Sequence, residues 1–158
     1  EETGPLYCPA IATFTITGVD DVMGPVFGTA WVSAANVDVT SGAQTIDVSF
    51  TATDDVSGVA SVQLVAIGDA GYDVTIDIGQ ATLSDGTIQD GTWTATLTIP
   101  AGTASQTVEV SRLGFPRDNV GNYGAFEGFD QENYCGSEET GPLYCPAIAT
   151  FTITGPTE

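Results

Sequence analysis

The chain contains no histidine and no lysine, and its basic residues are only Arg112 and Arg117. Without an imidazole or an amine there is no histidine general base, no Schiff-base nucleophile and no imidazole metal ligand. Ser-His-Asp and Cys-His centres are therefore excluded within the chain. The lack of lysine also excludes Lys-Asn isopeptide cross-links, and no Asn-x-Ser/Thr acceptor site occurs. No run approaches the about 20 apolar residues that a membrane helix needs. No basic-plus-apolar leader is present, so an exported protein would be seen here as a mature fragment. The expectation is a non-enzymatic protein with no membrane insertion.

What is present begins with charge. Asp and Glu total 21 and the formal net charge is -19. Such a surface repels phosphate backbones and anionic lipid, which argues against nucleic-acid partners. It suits divalent cations, saline water, or both. The acidic residues are dispersed among apolar runs rather than gathered in a tail, so the charge does not signal disorder.

The strongest pattern is a repeat. Glu1–Gly18 reads EETGPLYCPAIATFTITG, and Glu138–Gly155 is identical. The offset of 137 residues is the size of one ordinary domain. The chain reads as one module over 1–137, followed by a linker and the first strand of a next module over 138–158. The copies part after Gly155, where Pro156-Thr157-Glu158 stands against Val19-Asp20-Asp21. A second reading keeps both copies in one body, competing for a single strand position through exchange between subunits.

The cysteines follow the repeat. Cys135 and Cys145 flank nine residues that contain the module boundary, and Cys8 is the repeat equivalent of Cys145. The expected bridge is Cys135–Cys145, with Cys8 left for a preceding module or subunit. Closing so short a loop stabilises by about 2 to 3 kcal/mol. Persistent disulfides imply an extracellular or cell-surface setting; three buried free thiols are the alternative.

Periodicity supplies the fold. Ala10, Ala12, Phe14 and Ile16 alternate with threonines, as do Ala147, Ala149, Phe151 and Ile153 in the second copy. Thr45–Thr53 alternates with Ile46, Val48, Phe50 and Ala52 inward, and Trp93, Ala95, Leu97 and Ile99 alternate with four threonines before Pro100. Val59–Ile67, Tyr72–Leu83, the region of Val108 and Val110, and Tyr123–Phe129 supply further strands. Asp54–Gly58, Gly68–Gly71, Asp85-Gly86, Asp90-Gly91 and Arg117–Asn122 read as turns or loops. Val19–Ala35 is punctuated by Gly24, Pro25 and Gly28, and Trp31 with Phe27 is expected to cover a flank of the core. Seven to eight short antiparallel strands with no helical period predict an all-β, immunoglobulin-like sandwich with essentially no helix.

Three stretches carry a family resemblance: TATDDVSGVASV from Thr51, DGTWTATLTIP from Asp90 and RDNVGNY from Arg117. Together they resemble the bacterial immunoglobulin-like repeat domains of large secreted and cell-surface proteins. The resemblance implies a spacer, stalk, adhesin arm or enzyme appendage. In such a sandwich the loop after the second strand and the loop before the last share one pole. That juxtaposition brings Asp54 and Asp55 near Asp118, Asn119 and Asn122, a set of oxygens suited to calcium. The same residues are good turn formers that cap their own backbone, so a calcium site and plain turn chemistry both stand. Asp20, Asp21, Asp85 and Asp90 rank behind them as ligands.

Two functional classes follow. One is a structural subunit of a bacterial fibre, stalk or adhesin, partnered by copies of itself and joined in series through a disulfide-closed linker or by strand exchange. The other is a carbohydrate-binding module using the 19–35 insertion, with Trp31, Trp93, Tyr7 and Tyr72 as candidate stacking rings. Trp93, in phase with Leu97 and Ile99, is expected in the core.

Overall fold

The computed structural model describes residues 18, 20–112, 116–126 and 147–156. Twelve strands are formed and no helix occurs among the described residues. They are β1 (Val26–Val32), β2 (Asn36–Asp38), β3 (Gln44–Thr53), β4 (Val59–Ser61), β5 (Gln63–Gly68) and β6 (Asp73–Asp77). The chain continues through β7 (Thr82–Gly86), β8 (Asp90–Ile99), β9 (Gln106–Arg112), β10 (Arg117–Asp118), β11 (Ala125–Phe126) and β12 (Ala149–Thr154). Eight of these have five or more residues, which meets the expected all-β sandwich.

One sheet runs β11-β1-β3-β8-β7, a second runs β2-β12-β9-β5-β6, and β10 with β4 makes a small third sheet. A single hydrophobic cluster draws on both large sheets: Ile46, Val48 and Phe50 with Trp93 and Ile99 from the first, Leu64, Val108, Val110, Phe151 and Ile153 from the second. The cause is period-2 alternation, which puts every second side chain of a strand on the same face. β3 and β8 pair over ten residues, from Gln44 opposite Ile99 to Thr53 opposite Asp90. Their inward rings stack in a row, Phe27 on Phe50 at 5.8 Å and Phe50 on Trp93 at 6.2 Å. Outward, Ser49, Thr94 and Ser84 form a hydroxyl chain with 2.9 and 3.0 Å links, and the Thr96 hydroxyl donates to Asp47 at 2.6 Å.

Three local expectations change. Trp31 does not join Phe27 on the core: Phe27 is buried and Trp31 is 44% exposed. The β1–β3 register shifts between Phe27 and Ala30, and an irregularity of this kind turns the following side chains to the other face. Ala30 and Val32 consequently pack inward. Asp85-Gly86 and Asp90-Gly91 do not make two turns but end β7 and begin β8 around one tight connection. There the Thr87 hydroxyl accepts from the amides of Gln89 and Asp90. Val59–Ile67 is split at the buried Val62 into β4 and β5.

The largest difference concerns 138–158. The segment expected to open a following module, or to be donated, contributes β12 to the second sheet of this same body. The first copy, residues 1–17, lies outside the described residues, as do Cys8, Cys135 and Cys145.

Candidate functional site

Two places in the fold gather the residues singled out by sequence: the slot that holds β12, and the pole formed by the β3–β4 and β10–β11 loops.

The slot lies between β9 and β2. β12 runs antiparallel to β9, with Phe151 opposite Val108, and parallel to β2, with Thr152, Ile153 and Thr154 opposite Asn36, Val37 and Asp38. Beyond the strand, the Ile148 amide donates to the Val110 carbonyl at 2.8 Å, and the Val39 amide donates to the Thr154 carbonyl at 2.9 Å. β12 has backbone partners on both sides, so it is an interior strand and not an edge. Phe151 and Ile153 are buried in the core and Ala149 packs against it; Ala147 is exposed. Burying Phe151 and Ile153 stabilises by roughly 1.5–3 kcal/mol each, a sizeable share of the about 5–15 kcal/mol that holds a whole domain folded.

Register in the slot is set at two points. On the outer face the Asn36 side-chain amide donates to the Thr152 and Thr154 hydroxyls at 2.8 and 3.1 Å. At the end of the strand Gly155 is buried, and its amide donates to the Ser105 hydroxyl at 2.9 Å. A side chain there would collide with the Thr103 carbonyl oxygen and crowd the Ser105 amide. Its equivalent in the first copy, Gly18, has none of the described residues near the position a Cβ would take. The need for glycine is thus felt at one copy and not at the other.

At the loop pole the sequence set comes together. Asp118 is buried, and its Oδ1 accepts from the amides of Val120, Gly121 and Asn122 at 3.0, 2.6 and 2.8 Å. Its Oδ2 accepts from the Asn122 side-chain amide at 2.6 Å. Desolvation by burial pulls this carboxyl upward, and the bonds from Asn122, Gly121 and Val120 together outweigh it, so it is held below its ordinary value. Asn119 uses its side-chain amide to bridge the carbonyls of Ser57 and Gly58 at 2.9 and 3.0 Å, tying the two loops. Asp118, Asn119 and Asn122 are thus engaged in turn and loop bonding.

Asp54 and Asp55 differ from them. Asp54 Oδ1 accepts from the amides of Val56 and Gly58 at 3.3 and 2.5 Å, while Oδ2 is buried with no hydrogen-bond partner among the described residues. Gly58 closes this loop at φ +84, in the left-handed region that glycine enters without strain. Asp21, ranked low by sequence, joins the pair: a carboxylate oxygen from each of Asp21, Asp54 and Asp55 lies within 4.8 Å of the others. Asp21 is held by the Ser57 amide, which donates to its Oδ2 at 2.8 Å, and by the Asn122 side-chain amide, which donates to its carbonyl at 3.1 Å. The signal for Asp21 was its place just after the repeat, where the two copies diverge.

Among the described residues the aromatic platform is not assembled. Trp93 is in the core, Tyr72 is half-buried with its phenol pushed up by burial, and Tyr7 lies outside the described residues. Trp31 faces outward and has no ring partner among the described residues, where the exposed Tyr123 ring is instead covered by Arg117 at 4.1 Å. Comparison with known protein families, with curated proteins and with solved structures gave no match.

Proposed function

We propose that this protein is a structural subunit of an extracellular or cell-surface fibre, in which copies are joined in series by strand exchange. The observation that carries the reading is β12. A segment identical to Ala12–Thr17 sits as an interior strand of the second sheet, with Phe151 and Ile153 in the core. Whatever stabilises Ala149–Thr154 in that slot is available equally to Ala12–Thr17 of another copy, because every contacting side chain is the same. Completing a sheet with a strand from another chain supplies backbone bonds for affinity and alternate side-chain pockets for specificity. Gly18 supports the same reading: among the described residues nothing stands where its Cβ would be, whereas the Gly155 position requires glycine.

The cysteines fit as a lock on this joint. Cys8 and Cys145 stand at the same distance before the two copies of the strand. Cys135 would pair with Cys145 when the chain fills its own slot, and with Cys8 of the neighbour when the strand is exchanged. Such a bridge belongs to an oxidising compartment.

The test uses a chain ending at Pro146, which lacks the second strand. It is expected to assemble through its own N-terminal segment into filaments that denaturant with reductant returns to single chains. Deleting residues 1–18 as well is expected to leave a subunit that folds on adding the peptide of residues 10–18, and not on adding a Phe14→Asp peptide. A folded, monomeric chain ending at Pro146 with no affinity for the 10–18 peptide would overturn the proposal.

A further inference from the structure

We infer that the loop pole binds one hard divalent cation of the calcium class, with Asp21, Asp54 and Asp55 as its carboxylate ligands. Three facts converge on it. First, a carboxylate oxygen from each residue lies within 4.8 Å of the other two. Oxygens bound to one Ca²⁺ at about 2.4 Å can stand up to about 4.8 Å apart, so the three can share one ion. Second, Asp54 is 6% exposed and its Oδ2 is buried with no hydrogen-bond partner among the described residues. Buried charged oxygens are ordinarily paired or bound to metal. The buried Ser57 hydroxyl in the same loop is also without a partner among the described residues, and a hydroxyl is an oxygen that can bind Ca²⁺.

Third, no cationic side chain is placed at this cluster among the described residues. Lysine and histidine are absent from the chain, and the Arg117 guanidinium lies over the Tyr123 ring. Three like charges so close together repel one another, and a water molecule at Asp54 Oδ2 would satisfy the oxygen without relieving that repulsion.

The ligand set differs from the sequence expectation by including Asp21 and leaving Asp118, Asn119 and Asn122 outside the ligand shell. Those three act at one remove, since the Asn122 amide holds Asp21 and the Asn119 amide holds the Ser57–Gly58 backbone. Asp21 follows the first repeat copy by three residues, so the ion would fasten the root of that segment to the sandwich. The inference does not depend on strand exchange, which is read from assembly and not from metal binding.

The experiment is calorimetric titration of CaCl2 into the chelator-stripped full chain at about 150 mM NaCl, where diffuse charge is screened, together with melting curves with and without chelator. One saturable ion per chain and a melting temperature raised by calcium are expected. Asp55 makes no hydrogen bond among the described residues, so Asp55→Asn should fold normally and weaken binding by at least about tenfold. Asp21→Asn should do the same, and Asp85→Asn, which is not among the clustered carboxylates, should bind like the parent. Absence of saturable binding, or an equal loss in Asp85→Asn and Asp55→Asn, would overturn the assignment.

Discussion

The β3–β8 pair and the β12 slot are both made of alternating apolar and threonine-rich strands, yet they are held in different ways. β3 and β8 share an unbroken ten-residue ladder, and the ring stack of Phe27, Phe50 and Trp93 lies against it. β12 is six residues long and is anchored by two buried side chains, an asparagine clamp and a glycine that cannot carry a side chain. The first is a permanent core. The second, on the reading proposed above, is a socket for a segment that occurs twice. Stability in the one and selectivity in the other are separate properties of the same sandwich.

Substitutions should separate them. Phe50→Ala removes a fully buried ring stacked on two others, and is expected to destabilise by about 3–5 kcal/mol. Its denaturant midpoint should not recover when the peptide of residues 10–18 is added. Phe151→Ala should cost about 3 kcal/mol, towards the lower end of the same range, and here the peptide should restore the midpoint by replacing the damaged strand. Equal peptide response in the two variants would erase the distinction between core and socket.

Gly155→Ala forces a collision with the Thr103 carbonyl and is expected to cost about 1–3 kcal/mol. The same change at Gly18 should leave the melting temperature of the self-filled chain unaltered and weaken assembly of a chain ending at Pro146. Asn36→Ala loses two outer-face hydrogen bonds; the expected cost is about 1 kcal/mol or less in these exposed surroundings.

The smallest effect at neutral pH concerns acid. Asp118 is held below its ordinary value in the folded chain, so its contribution to stability is full above the usual carboxylate range near about 3.9 and is lost as pH falls through the lowered value. Asp38 titrates in the same direction because the Thr40 hydroxyl and then the Thr40 amide donate to it. Urea midpoints measured from about pH 6 to pH 2 should therefore fall on acidification. Asp118→Asn should fall less steeply than the parent.

The long strands were legible because a half-buried strand must alternate: Ile46, Val48, Phe50 and Ala52, and Trp93 through Ile99, were read inward and are inward. Trp31 was misplaced because a register shift changes phase without any mark in composition. Asp90-Gly91 misled because a turn dipeptide is a local preference, and pairing with Thr53 and Ala52 overrode it. The destination of the second repeat copy was legible only as one of two alternatives, a following module or a strand position in this same body. Identical strands fit identical slots, and sequence alone cannot say whose slot is filled. At the loop pole the juxtaposition of Asp54 with Asn119 was legible from the expected topology. The part played by Asp21 was not, since it arrives from an irregular segment held by side-chain bonds to distant residues.

The parallel pairing of β12 with β2 has one more implication. β12 meets β2 in one direction and β9 in the other, and the Gly155 end alone fits beneath the Thr103 carbonyl, so the inserted strand has a single orientation. A filament assembled through this slot would be polar. In a filament of chains that end at Pro146, one terminus would expose an empty groove and the opposite one a free peptide tail. Elongation could be arrested at the first terminus by a short soluble peptide and at the second by a subunit that presents a groove but has no tail to offer.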